Sequence, residues 1–348
     1  MIRVLIVDDS PVIRRLLKEV LSKEPDIEVV GEARDGREAV ELAQALRPDV
    51  ITLDIEMPVM DGLSALREIC RLVPRAKVIM FSTLTEKGAR ETLEALSLGA
   101  FDFVTKPKGA NLFDSLTRIK SELLPKIRAA VPAVRKPILP RRPAPPRPRV
   151  LSPGVYSVVG IGVSTGGPRA LMEIMPRLPA NFPAPILLVQ HMPPLFTAQL
   201  AQSLDQRSAL RVKEARSGEP VVKGTVYVAP GDYHMEVRGS GRTKTIYLHQ
   251  GPPENGCRPA VDPLFRSLAK VYNGTAVAVV LTGMGQDGRE GARKIKEKGG
   301  LVIAQDEKTS TVYGMPRAVV EAGLADLILP LSEIPIKLQE IFLGKGRA

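Results

Sequence analysis

Short apolar runs and amphipathic stretches alternate along the first third of the chain. Residues 4–7, 29–33, 50–53, 78–81 and 103–105 are runs of three to five mainly apolar positions, the pattern of strands buried on both faces. Between them, residues 11–23, 37–46 and 88–98 repeat apolar positions at helical spacing, and residues 112–127 do so after the last run. Five such repeats within residues 1–125 predict a parallel, doubly wound sheet with helices on both faces. The alternation resumes beyond residue 150. Strands are expected at 157–161, 186–189, 226–228, 276–281 and 301–303, and helices at 168–175, 195–206, 262–271, 288–298 and 332–342. One stretch breaks the rhythm: residues 234–238 and 245–248, joined by Gly239-Ser240-Gly241-Arg242, read as a β-hairpin. The expected fold class is α/β throughout. An N-terminal (βα)5 doubly wound unit precedes a doubly wound, mostly parallel sheet with a β-hairpin insertion.

The segment between the two series changes how the charge is read. Residues 126–150 hold seven prolines and eight Lys or Arg residues with no acid, so most of the formal net charge of +11 belongs there. Proline fixes φ and removes a backbone donor, so an extended, self-repelling linker is expected. A basic arm that attracts acidic partners is the alternative. Three segments result: residues 1–125, a linker at 126–150, and residues 151–348. The longest apolar runs, such as residues 276–281, are far too short to span a membrane. Two carboxylates follow the first apolar run directly, which is not how a signal peptide is built. A cytoplasmic protein without membrane insertion is expected. The two cysteines, Cys70 and Cys257, support neither a disulfide framework nor a cysteine metal site.

In open α/β sheets, ligands bind beyond the carboxyl ends of the strands. Asp8 and Asp9 follow the first run, Asp54 the third, Ser82 the fourth and Lys106 the fifth. Any one of these acids alone reads as a helix cap. Together they make a site for a hard cation with one carboxylate available as a nucleophile, and Mg2+ there suits phosphoryl transfer. The constellation resembles the receiver domain of two-component response regulators. Matching stretches are Val7-Asp8-Asp9-Ser10, Leu53-Asp54-Ile55-Glu56-Met57-Pro58 with Asp61-Gly62, Phe81-Ser82-Thr83, and Thr105-Lys106-Pro107. The resemblance implies Asp54 as phosphoacceptor, with Mg2+ held by Asp8, Asp9, Asp54 and the Glu56 carbonyl. It also implies that Lys106 pairs with the phosphoryl group, that Ser82 swings toward it, and that Phe103 is the aromatic switch residue.

The second series carries a different chemistry. Gly162-Val163-Ser164-Thr165-Gly166 is a G-x-S-x-G placed between a strand and a helix. Glycines on both sides permit a tight turn that lifts the Ser164 hydroxyl clear of the sheet, with helix N-terminal N–H groups facing an oxyanion. A dinucleotide fingerprint would need G-x-G-x-x-G, and Gly160-x-Gly162-x-x-x-Gly166 has one residue too many. A serine nucleophile needs a base, and the chain has three histidines. His191 follows the apolar strand Ile186 to Gln190 and should reach the same edge as Ser164, whereas His234 and His249 bound the hairpin. An orienting carboxylate is offered by Asp287, in the glycine-rich loop after the strand at 276–281, where its plain structural role would be a helix cap.

The order Ser, His, Asp departs from the Ser, Asp, His order of α/β-hydrolases. Order and motifs instead resemble the chemotaxis-specific protein-glutamate methylesterases, the CheB family. Gln190-His191-Met192-Pro193, the stretch from Ala229 to Met235, that from Thr282 to Gly288, and Tyr313-Gly314-Met315-Pro316 all agree. With the receiver in front, the likeness spans nearly the whole chain. It implies a phosphorylation-activated hydrolase that demethylates glutamate γ-methyl esters of chemotaxis receptors and deamidates glutamines. Ser164 would be the nucleophile, His191 the base and Asp287 its orienter, with the N–H groups of Met284 and Thr165 as oxyanion hole. A chemotaxis histidine kinase would supply the phosphoryl group, the esterase domain would need no cofactor, and recruitment to receptor arrays is expected. At Asn255-Gly256-Cys257-Arg258-Pro259 relatives often carry a more basic stretch, a departure that bears on substrate docking. Two other outputs fit the sequence less well. A DNA-binding regulator would need a helical domain with a recognition helix, which the strands of residues 151–348 do not suggest, so no nucleic-acid partner is expected. A non-catalytic receptor adaptor would not need Ser164, His191 and Asp287 together.

Overall fold

The computed structural model describes residues 1–106, 112–131, 155–241 and 243–344. The chain divides into two compact units, Met1–Ile138 and Leu139–Ala348. Most of the expected proline-rich linker lies outside the described residues.

In the first unit, strands β1 (Ile2–Val7), β2 (Ile27–Ala33), β3 (Val50–Asp54), β4 (Lys77–Ser82) and β5 (Asp102–Thr105) form a parallel sheet of order β2-β1-β3-β4-β5. Helices α1 (Pro11–Leu21), α2 (Gly36–Leu46), α3 (Gly62–Leu72), α4 (Glu86–Leu98) and α5 (Leu112–Ala130) connect and follow the strands. Local chemistry starts the helices where they begin. Ser10, Asp35, Asp61 and Thr85 each accept a first-turn N–H at the N-cap of α1 to α4 in turn. Helix α3 has no counterpart among the expected helices. Helix α5 runs past residue 125, with Ile127 and Ala130 buried. Its last turn is tied down by Arg128, which pairs with Glu24 and Asp26 at 2.7 Å each. Lys126 and Arg128 thus sit on a packed helix.

The second unit is built on β6 (Val158–Val163), β7 (Ile186–Gln190), β8 (Arg211–Glu214), β9 (Thr225–Val228), β12 (Ala276–Val280), β13 (Leu301–Gln305) and β14 (Leu327–Leu329). These seven strands are parallel, in the order β14-β13-β12-β6-β7-β9-β8. The inserted hairpin, β10 (His234–Ser240) with β11 (Thr243–His249), forms its own antiparallel pair. Helices α6 (Gly167–Ile174), α7 (Phe196–Asp205), α8 (Val261–Tyr272), α9 (Arg289–Glu297), α10 (Met315–Glu321) and α11 (Ile334–Leu343) complete the unit. The hairpin packs its Met235, Val237 and Ile246 into the same core as Val261, Leu264, Phe265 and Leu268 of α8. Strands β8 and β14 were not expected, and both are edge strands with few buried positions. An edge strand needs no continuous apolar run, so its sequence carries little signal.

The connectivity decides where the chemistry sits. Strand β6 lies between β12 and β7, so the chain leaves β6 toward one side of the sheet and later returns on the other. In open parallel sheets such a reversal opens a crevice beyond the strand ends. Ser164 follows β6, His191 follows β7, and the loop holding Asp287 follows β12.

Candidate active sites

In the first unit, the carboxyl ends of β1 and β3 bring Asp8, Asp9 and Asp54 close enough for one oxygen of each to lie within 4.8 Å of the others. Asp8 and Asp54 are buried, while Asp9 is exposed. Lys106, beyond β5, places its ammonium 2.8 Å from Asp8 Oδ2 and 2.7 Å from Asp54 Oδ2. A small cavity of about 180 Å³ opens here, bounded among others by Asp9, Asp54, Glu56, Ser82 and Lys106. Burial and the Asp8 charge, partly offset by Lys106, push Asp54 up to about 6. Burial likewise raises Asp8, and although burial works against Lys106, the two carboxylates hold its pKa above the usual lysine value. Two buried acids that resist ionisation beside one lysine are short of positive charge, and a divalent cation fits that deficit.

Of the other expected residues of this unit, Ser82 and Glu56 border the same cavity, while Phe103 lies within β5. Ser82 is buried, and its hydroxyl donates to the Gly88 carbonyl at 3.2 Å. The Glu56 carboxylate pairs with Lys87 at 2.6 Å, and Glu56 is among the residues that border the cavity. Phe103 is buried on β5, with the Lys126 ammonium 5.1 Å from its ring centre.

In the second unit the nucleophile turn divides its work between two glycines. Gly166, at φ 76°, takes the left-handed conformation that starts α6. Gly162 lies in the strand instead of the turn. A Cβ there would sit 2.4 Å from Val261 Cγ1, so its absence lets α8 press against β6. Ser164 is anchored through its backbone, since its N–H donates to Thr282 O at 3.0 Å and Gln190 Nε2 donates to its carbonyl at 3.0 Å. Gln190 also donates to the His191 carbonyl at 3.2 Å, a clamp on both residues that its place in a motif had not revealed.

His191 Nε2 lies 2.8 Å from Asp287 Oδ2. Asp287 is buried and accepts four further hydrogen bonds: from the N–H groups of Val261 (2.6 Å), Asp262 (3.1 Å) and Gly288 (2.9 Å), and from Asn255 Nδ2 (3.0 Å). Val261 and Asp262 open α8, so the carboxylate caps α8 and not the helix that follows it in sequence. Burial would raise the Asp287 pKa, but these donors and His191 outweigh it and hold the acid ionised. Burial would lower the His191 pKa, and the hydrogen bond to Asp287 reverses this, so the imidazole is raised above its ordinary value. Asn255, noted in the sequence only as part of the stretch to Pro259, and Asp262, at the start of an expected helix, meet Asp287 through contacts 32 and 25 residues along the chain.

The loop after β12 is held against the nucleophile. A Cβ on Gly283 would lie 2.8 Å from Ser164 Cβ and 2.4 Å from Met315 Sδ, so only glycine permits this approach. The N–H groups of Gly314 and Met315 donate to the Gly283 carbonyl at 3.0 and 2.8 Å, which gives the Tyr313-to-Pro316 stretch its purpose. Met284 follows Gly283, and among the described residues its N–H makes no backbone hydrogen bond. Thr165 is buried, with its carbonyl accepting from Thr282 Oγ1 at 2.9 Å. The other two histidines are structural. His234 binds the Pro252 carbonyl and the Ala260 N–H, and His249 accepts from the Gly251 N–H and faces Glu236.

A parallel sheet bearing a carboxylate–lysine edge, joined in one chain to a second sheet bearing a serine and a histidine–aspartate pair, defines a response regulator with an enzymatic output. Family models agree: residues 4–117 match the response regulator receiver domain, and residues 159–338 match the CheB methylesterase domain. A protein-glutamate methylesterase/protein-glutamine glutaminase of Thermotoga maritima is 49% identical over 341 residues, covering 98% of both chains. One of the same description from Pyrococcus abyssi is 46% identical over 353 residues, 99% of this chain and 95% of that one. The crystal structure of the Thermotoga maritima CheB methylesterase catalytic domain superposes with TM-score 0.53 at 50% identity, covering 53% of this chain and 98% of that one. The chain belongs to the CheB protein-glutamate methylesterase family. Among the described residues, no helix is long and apolar enough to cross a membrane.

Proposed function

We propose that this protein hydrolyses glutamate γ-methyl esters, and deamidates glutamines, on chemotaxis receptors, under control of phosphorylation at Asp54. The observation that carries the reading is the 2.8 Å contact of His191 with a five-fold hydrogen-bonded Asp287, at the strand end next to Ser164. Asp287 occupies Nε2, so Nδ1 is the nitrogen left to take the Ser164 proton. Ser164 Oγ attacks the γ-carbonyl, and the oxyanion forms toward the N–H groups of Met284 and Thr165. His191 returns the proton to the leaving methanol, or to ammonia from an amide. Water, deprotonated by the same imidazole, then releases the glutamate from Ser164.

In the receiver, the carboxylates of Asp8, Asp9 and Asp54 with the Glu56 carbonyl would hold Mg2+, which neutralises the charge of the transferring phosphoryl group. Asp54 is the acceptor of a phosphoryl group from a histidine kinase. Lys106, already against Asp54, pairs with that group, and Ser82 and Phe103 respond to it. The test is methanol release from methylated receptor membranes, with and without a small-molecule phosphodonor and Mg2+. Stimulation by the phosphodonor is expected. Ser164→Ala should remove nearly all of the release, on the order of a million-fold as in a serine protease. A variant that keeps more than a few per cent would mean that another group attacks.

A further inference from the structure

The nitrogen of His191 that the esterase reading needs is already engaged. Cys257 Sγ lies 3.5 Å from His191 Nδ1, within reach of a sulfur hydrogen bond, while Nε2 is held by Asp287. Among the described residues the Ser164 hydroxyl makes no hydrogen bond. Thiol, imidazole and carboxylate therefore form a continuous chain with the connectivity of a cysteine-nucleophile triad. The thiol is also fixed in place. Glu254 and Cys257 exchange backbone hydrogen bonds of 3.1 and 2.9 Å across a two-residue turn in which Asn255 and Gly256 have positive φ. Glu254 is pinned by both guanidinium nitrogens of Arg266, and Asn255 by Asp262 and Asp287. Cys257 is partly exposed, so a small reagent reaches it.

We propose that Cys257 is a covalent modification site for small electrophilic oxidants of the hydroperoxide class, and that its modification switches off the Ser164 site. The inference rests on His191 being the esterase base. The Cys257 S–H gives its proton to His191 Nδ1, and Asp287 supports the imidazolium. The thiolate attacks one peroxide oxygen, forming S–O as O–O breaks. Sulfur is oxidised by two electrons, the peroxide is reduced, and the leaving oxygen takes the proton from His191 to depart as alcohol or water. The product is a sulfenic acid, which thiols reduce back. Its added oxygen stands where Sγ faced Nδ1, and its O–H is a far stronger donor than the weak thiol contact it replaces, so it holds the nitrogen that Ser164 requires. Cys70 provides an internal contrast, because burial raises its pKa and its own unit, residues 1–138, contains no histidine.

The experiment treats the full-length protein with hydrogen peroxide and a sulfenic-acid trapping dione, then locates the adduct by peptide mass spectrometry. Methanol release is followed in parallel samples without the dione. The adduct is expected at Cys257 in large excess over Cys70, equally in Ser164→Ala, and much reduced in His191→Ala. Esterase activity should fall about a hundredfold or more, the scale of a lost general base, and recover with dithiothreitol. Cys257→Ala, compared with its own untreated rate, should resist peroxide. An adduct at Cys70 alone, or equal inactivation of Cys257→Ala, overturns the proposal. Labelling of Cys257 with activity intact overturns the switch. The Ser164→Ala rate without peroxide reports separately on the esterase reading.

Discussion

Asp287 holds two roles that compete for one carboxylate. It orients His191, and it caps α8 through the N–H groups of Val261 and Asp262. Asp287→Asn keeps an acceptor oxygen but loses the charge, and its amide N–H₂ cannot accept from Val261 or His191. Turnover should drop on the order of ten-thousandfold, as when the aspartate of a serine protease triad is neutralised. Lost capping should cost about 0.5–2 kcal/mol, visible as a lower melting temperature of a protein that still folds. A normal rate in the folded variant would reduce Asp287 to a cap. The pH dependence follows from the same contact. In the proposed mechanism His191 works only when neutral, and Asp287 raises its pKa, so the acidic limb of the esterase profile should lie above the ordinary histidine value of 6.5. Removing the carboxylate should move that limb to lower pH. In the receiver the sign is the same. Asp54 must be ionised to bind a cation, and its pKa stands at about 6. Calorimetric Mg2+ affinity should therefore weaken as pH falls through that value, and Asp54→Asn should reduce the dependence to the part that Asp8 carries.

At the level of elements, the active edge depends on how closely α8 approaches β6. Gly162 permits that approach, and the first N–H groups of α8 then meet Asp287. In Gly162→Ala the new methyl would fall 2.4 Å from Val261, so strand or helix must shift. Overpacking of this kind costs about 1–3 kcal/mol. Thermal unfolding should show the destabilisation, and methanol release should fall as well, because Val261 carries one of the bonds that set Asp287. Lower stability with an unchanged rate would show that the cradle tolerates movement of α8.

For the molecule as a whole, two candidate sites in one chain raise the question of control. A phosphorylated Asp54 alters the esterase only if the two receiver states interact with it differently. The simplest arrangement has the unphosphorylated receiver hold the enzyme back. Deleting residues 1–140 should then raise basal methanol release. Phosphodonor with Mg2+ should activate the full chain, and Asp54→Ala should abolish that response without lowering the basal rate. If the shortened chain is no faster than the unphosphorylated whole, the receiver works by positive contact or by bringing the enzyme to its substrate.

Residue order alone determined the two α/β series, because buried parallel strands must be continuously apolar and their helices amphipathic. It also placed Asp8, Asp54, Ser164 and His191 directly after apolar runs, and a residue that follows a strand must lie at the sheet edge. Strands β8 and β14 escaped that reading because edge strands are half-exposed, and the last turn of α5, beyond the expected end at residue 127, was read as linker because the acidic partners of Arg128 lie a hundred positions away. Tertiary structure alone decided which strands are neighbours, and so which edge residues meet. It made β6 the centre of the second sheet and turned Asp287 toward α8. It also set Cys257, 66 residues from His191 in sequence, against the imidazole. Contacts of that span are fixed by the packing of whole elements, and no local pattern of residues encodes them.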